Sequence, residues 1–134
     1  MARACGYDPL LIEPRDIVGS ADRFPDETIL KDWPDEALAR LAPDARMAVI
    51  TLTHDADLDD SALRVALASP AFYIGCLGST RTHAKRLDRL RAAGLNEEAI
   101  ARIHGPIGLD IGAKSPAEIA VSIMAEITQV LRRG

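Results

Sequence analysis

Three stretches of the chain are apolar without any period: residues 9–13 (PLLIE), 47–52 (MAVITL) and 71–75 (AFYIG). Alternation would mark a strand with one wet face, so unbroken runs of this length predict strands covered on both sides, as in parallel sheets. The third run is entered through Pro70 and is rich in aromatic and β-branched residues, and residues 28–30 predict a fourth, very short strand.

Between the runs the apolar positions take up helical spacing. Pro34, Ala37, Leu38 and Leu41 share one stripe, with Asp32 expected as N-cap and proline in the first turn. Leu63, Ala66 and Leu67 predict a second helix starting at Asp59 or Asp60. Ala84, Leu87 and Leu90 predict a third that ends at Gly94, a left-handed cap. Asn96, Glu97 and Glu98, followed by Ile100 and Ile103, predict a short fourth. Ser115-Pro116-Ala117-Glu118 is a capping box with proline in the first helical position. Behind it Ile119, Ile123, Ile127 and Val130 line one face, and Arg132 and Arg133 complement the negative end of the helix. Strands alternating with such helices predict an α/β fold, Rossmann-like, with three layers and an open, mostly parallel sheet in one domain over residues 1–134. Residues 1–6 are expected to be the tail of a first helix, which leaves the usual first strand and its G-x-G-x-x-G loop outside the chain. A sheet without that strand has an open inner edge, so a homo-oligomer or a hetero-complex is expected.

Composition narrows the function classes. With 134 residues, 48% of them hydrophobic, the chain can bury a core without staples. Aromatics are only 4%, which argues against an aromatic platform for nucleic acid. The net charge of −4 opposes polyanion binding by the surface as a whole. Its distribution is uneven: residues 1–60 hold 14 acids and 6 bases, and residues 61–134 hold 6 acids and 10 bases. Cys5 and Cys76 provide neither a disulfide framework nor zinc spacing, and no apolar run approaches the roughly 18 residues of a membrane span. A reducing cytoplasm is the expected location, with no membrane partner.

In open α/β sheets ligands sit beyond the carboxyl ends of the strands. The strongest signal there is Gly75-Cys76-Leu77-Gly78-Ser79-Thr80-Arg81-Thr82, a glycine turn from strand to helix. Glycines let the backbone approach a ligand, the first helical amides point at it, and the dipole favours an anion. Ser79 and Arg81 would add a hydroxyl and a charge. The same glycines also suit a plain tight turn. Thr53-His54-Asp55 leaves the second run, so His54 and Asp55 are candidates for a base or a clamp, or simply for a turn and a helix cap. Residues 55–60 are acidic but lack the glycine and the bidentate glutamate of a calcium loop, and no metal site is expected. Glu13, leaving the first run, is a candidate for binding ribose hydroxyls. Arg81, Lys85 and Arg89 share one helix face, which reads as a solvated surface before it reads as a docking patch. Asp110 and Lys114 lie in the glycine-dense segment 105–114 and are candidates for a pocket mouth, with Asp110 as a ligand contact.

The blocks PIGLDIGAKSPAEIAVSIMAEI, FYIGCLGSTRTHAKRLDRLRAAGL and LTHDADLDD resemble the carboxyl-terminal domain of the XdhC/CoxI family, the xanthine dehydrogenase accessory factors. The resemblance runs from about Gly6 to Thr128. It implies a Rossmann-like domain from proteins that bind the molybdenum cofactor (molybdopterin), guard it during sulfuration and pass it to a molybdenum hydroxylase client such as xanthine dehydrogenase. The segment from Gly75 to Thr82 would then hold a phosphate of a pterin or nucleotide. Family members usually carry a separate amino-terminal domain with a cysteine-glycine motif, and often a basic residue where this chain has Thr80 and an alanine-like residue at Cys76. The expected function is a non-catalytic cofactor chaperone. An NAD(P)-dependent oxidoreductase and a pure protein-interaction domain are the alternatives.

Overall fold

The computed structural model describes residues 1–15 and 28–134. A 3-10 turn, Arg3–Cys5, precedes β1 (Leu10–Ile12) and β2 (Thr28–Leu30), and α1 (Pro34–Leu41), β3 (Ala48–Thr51), α2 (Ala56–Leu67) and β4 (Tyr73–Cys76) follow. The chain continues through α3 (Thr80–Ala92), α4 (Glu97–Ile100), β5 (Ile103–His104) and α5 (Pro116–Arg133). Every described pairing is parallel: β1 with β2, β3 with β4, and β4 with β5. This is the expected open α/β architecture, divided into two ladders, β1-β2 and β3-β4-β5. Ile12 of the smaller ladder packs on the same core as β3 and β4, so it continues the layer without sharing its hydrogen bonds.

β4 is buried at all four positions, and its alternation sets the layers. Ile74 and Cys76 enter one cluster with Leu63, Ala66 and Leu67 of α2 and Leu90 of α3. Tyr73 enters the other, with Ile107 and with Ile123, Met124 and Ile127 of α5. Helices α2 and α3 thus cover one face and α5 the other.

The helix starts differ from expectation in instructive ways. Asp55, not Asp59 or Asp60, caps α2, accepting from the Asp57 and Leu58 amides. That places Asp59 inside the helix, where it is buried. Trp33 is the N-cap of α1 and makes no side-chain bond. Asp32 pairs instead with Arg40, while Ser61 Oγ accepts from the Asp35 amide at 3.0 Å. Ile103 belongs to β5, because the helix capped by Asn96 ends at Ile100 after a single turn. The capping box of α5 forms in both directions, between Ser115 and Glu118, and Gly94 takes the expected left-handed angle behind α3.

Candidate functional site

β4 delivers Leu77, Gly78 and Ser79 to the carboxyl edge of its ladder, where α3 begins. Gly78 sits at φ +142, a conformation that L side chains rarely adopt, and a Cβ there would meet Thr82 Cγ2 at 3.0 Å. Ser79 is the N-cap: its Oγ accepts the Thr82 N–H at 3.1 Å. The amides of Thr80 and Arg81 belong to the first turn, which has no acceptors within its own helix, and both residues are exposed. Gly78, Ser79 and Arg81 are thereby gathered at the positive end of one helix. Gly75 is not among them. It lies inside β4, where a Cβ would come within 2.7 Å of Ile107 Cδ1 and 2.8 Å of Tyr73 Cε2. Its lack of a side chain makes room for a ring packed over the strand, which corrects its assignment to the ligand-facing turn.

Beneath the turn lies a polar cluster that the apolar periodicity did not disclose. Arg86 is only 1% exposed. Its Nη2 donates to the Leu77 carbonyl at 2.9 Å, and its Nη1 lies 3.1 Å from His83 Nδ1. Burial, reinforced by Arg86, holds the His83 ring below its usual pKa, so the neutral ring accepts this bond. Asp59 is 3.9 Å from Arg86 Nη2 and accepts from Thr53 Oγ1 at 2.8 Å. Burial pushes the Asp59 carboxyl up, against the opposing pull of Thr53 and Arg86. Burial also pushes up the Cys76 thiol, which makes it a packed side chain and not a poised nucleophile. One signal for Arg86 was present: His83, Arg86, Leu87 and Leu90 fall at i, i+3, i+4 and i+7, which sets a charge on an apolar stripe.

The raised pKa of Asp59 has a definite sign. Folding favours its protonated form, so its contribution to stability is fully present below the ordinary value of 3.8 and is lost as pH rises through the folded value. Urea unfolding at a series of pH values should show the wild type losing ground to Asp59→Asn as pH climbs from 3.8 upward. A pH-independent difference between the two proteins would contradict this.

The other sequence candidates are placed as follows. Glu13 is gripped by Arg15, with Oε1 2.6 Å from Nε and Oε2 3.0 Å from Nη2, and this guanidinium holds its carboxyl below the usual range. The same pairing with Glu13 raises the Arg15 pKa, with Asp55 and Asp59 adding to the effect. His54 is exposed, the Asp55 carboxylate is engaged in the cap, and among the described residues no hydrogen bond joins them. Arg89 is held by Asp60 at 2.7 and 3.1 Å, which removes it from the basic row and leaves Arg81 and Lys85 exposed. Asp110 and Lys114 are exposed on the loop after β5. That loop is tied down where Ile107 N–H meets the Cys76 carbonyl at 3.0 Å and Leu109 N–H meets the Ser122 carbonyl at 3.1 Å. Glu126 Oε1 also accepts from the Gly108 amide at 3.0 Å and from Tyr73 Oη at 2.5 Å. Two apolar side chains, Leu52 and Ile111, stand exposed on the loops that leave β3 and β5.

Two concave surfaces lie away from the turn. One is a groove between the amino-terminal turn and α5, edged by Met1, Cys5, Val121, Met124, Arg132 and Arg133. The other lies between Trp33, Asp57, Asp60, Arg64 and Arg89. The glycine turn lines neither. Among the described residues no three His, Cys, Asp or Glu side chains are grouped to hold a metal ion, and no helix is long and apolar enough to cross a membrane.

The XdhC Rossmann domain family matches residues 1–127. The chain belongs to the XdhC family. This XdhC domain is 39% identical over 107 residues to the uncharacterized protein YqeB of Escherichia coli, covering 80% of this chain and 20% of that protein. It is 35% identical over 105 residues to the molybdenum cofactor insertion chaperone PaoD of Escherichia coli, covering 78% of this chain and 32% of PaoD. A crystal structure described as a xanthine dehydrogenase from Bacillus halodurans superposes with a TM-score of 0.80 at 29% identity, covering 98% of this chain and 38% of that one. The XdhC domain therefore spans between a fifth and two fifths of the length of these relatives.

Proposed function

We propose that this XdhC domain is the cofactor-holding part of a maturation factor for molybdenum hydroxylases such as xanthine dehydrogenase. The phosphate of the molybdenum cofactor rests on the turn at Gly78 and Ser79, and the assembled protein passes the cofactor to its client. The observation that carries this reading is the turn itself: first-turn amides of a 13-residue helix that have no acceptor within that helix, next to a buried Arg86 that donates to the Leu77 carbonyl. A relative named as a molybdenum cofactor insertion chaperone supports it. Holding and handing over fits better than turnover, because His54 and Asp55 form no pair and Cys76 is packed away as a thiol. The nicotinamide alternative gains no support, since the carboxylate meant for ribose hydroxyls is engaged by Arg15. Exposed Leu52 and Ile111 provide apolar contact for a ring system or for the client.

Titrating molybdopterin into the wild type and into the Ser79→Ala, Arg81→Ala double variant tests the site. The double variant should bind roughly tenfold more weakly, about 1.4 kcal/mol, for one lost hydroxyl and one lost charge. Equal affinity would reject the site, and no binding by either protein would favour a domain that only contacts other proteins.

A further inference from the structure

We infer that Arg86 is the positioning residue of the anion site: it pins the Leu77 carbonyl beneath the turn and so directs the Gly78 N–H outward, backed by its own charge. The inference rests on the reading of the turn as an anion holder. The geometry is that of a planar peptide, in which the Leu77 carbonyl and the Gly78 N–H point in opposite directions. Arg86 Nη2 draws that carbonyl inward at 2.9 Å, which leaves the N–H facing away from the core. The same nitrogen would lie 3.6 Å from a Cβ on Gly78, so the guanidinium sits directly under the turn.

The charge of Arg86 is poorly compensated where it lies. Its Nε–H is buried without an acceptor among the described residues. Among the described residues the one carboxylate in its salt-bridge range, Asp59, is at 3.9 Å, beyond hydrogen-bond distance. His83 faces it as a neutral ring, and the neighbouring Asp60 is taken by Arg89. Burying a guanidinium is costly unless a well-placed carboxylate and further hydrogen bonds compensate it. An anion resting on the turn completes the arrangement from outside.

The test is a nitrogen-15 NMR titration with inorganic pyrophosphate, following the Gly78, Thr80 and Arg81 amides and the Arg86 Nε–H. In the wild type the Gly78 and Arg86 signals should shift together and saturate at one affinity. Arg86→Lys keeps a charge but cannot hold both Leu77 and His83, and should bind roughly tenfold more weakly with a smaller Gly78 shift. A Gly78 shift without movement at Arg86 in the wild type, or unchanged affinity in Arg86→Lys, would overturn the role of Arg86 and leave the turn as a site. The wild-type comparison decides the matter even where the variant fails to fold. Absence of any shift at the turn amides would overturn the site reading itself.

Discussion

Replacing Glu126 by alanine is expected to lower the free energy of unfolding by about 2–4 kcal/mol. One carboxylate oxygen of α5 serves two donors, the Tyr73 hydroxyl at 2.5 Å and the Gly108 amide at 3.0 Å, and lies 3.6 Å from His104 Nδ1. Tyr73 is 1% exposed, and its ring stacks on His104 with centroids 4.6 Å apart. Burial and the adjoining carboxylate push the tyrosine hydroxyl far above its ordinary pKa, so it remains a donor at every ordinary pH. Truncating Glu126 leaves a buried phenol and a half-buried amide without their charged acceptor, and each such bond is worth about 1.5–3 kcal/mol. Partial solvent access to Glu126 lowers the sum. Glu126→Gln keeps one acceptor oxygen and should cost about half as much, as measured by urea unfolding. Equal and small losses in both variants would show that the loop after β5 is held by packing alone.

Gly78→Val should destabilise the fold by about 1–3 kcal/mol and abolish anion binding at the turn. A β-branched residue is strained at φ +142, and its Cβ meets Thr82 Cγ2 at 3.0 Å, within the first turn of α3. Relief requires rotating the Leu77 to Gly78 peptide, which withdraws the N–H from the ligand side. A variant that keeps both wild-type stability and wild-type affinity would show that the left-handed conformation at this position serves neither fold nor function.

The parallel strands were legible because β3 and β4 are short, continuous and apolar, and the last helix because its capping box and its apolar stripe agree. Helix starts were harder to place in the acidic run. Four aspartates between residues 55 and 60 leave the N-cap ambiguous by composition, and only the bonds from Asp57 and Leu58 single out Asp55. Ile103 was misplaced because a two-residue strand shows no period. The turn at Gly78 was visible in the sequence, whereas the cluster below it shows there only as a charge on the apolar stripe of α3: Thr53 and Asp59 come from one segment, His83 and Arg86 from another, and the two meet only in three dimensions. Gly75 misled for a related reason, since a glycine that makes room for Tyr73 and Ile107 looks the same in sequence as one that makes room for a ligand.

The most direct test is crystallographic: the full-length protein with the molybdenum cofactor bound, and the position of the cofactor's phosphorus. The phosphate oxygens should lie about 3 Å from the N–H groups of Gly78, Thr80 and Arg81. A phosphate found instead beside Arg132 and Arg133, in the groove along α5, would contradict the account.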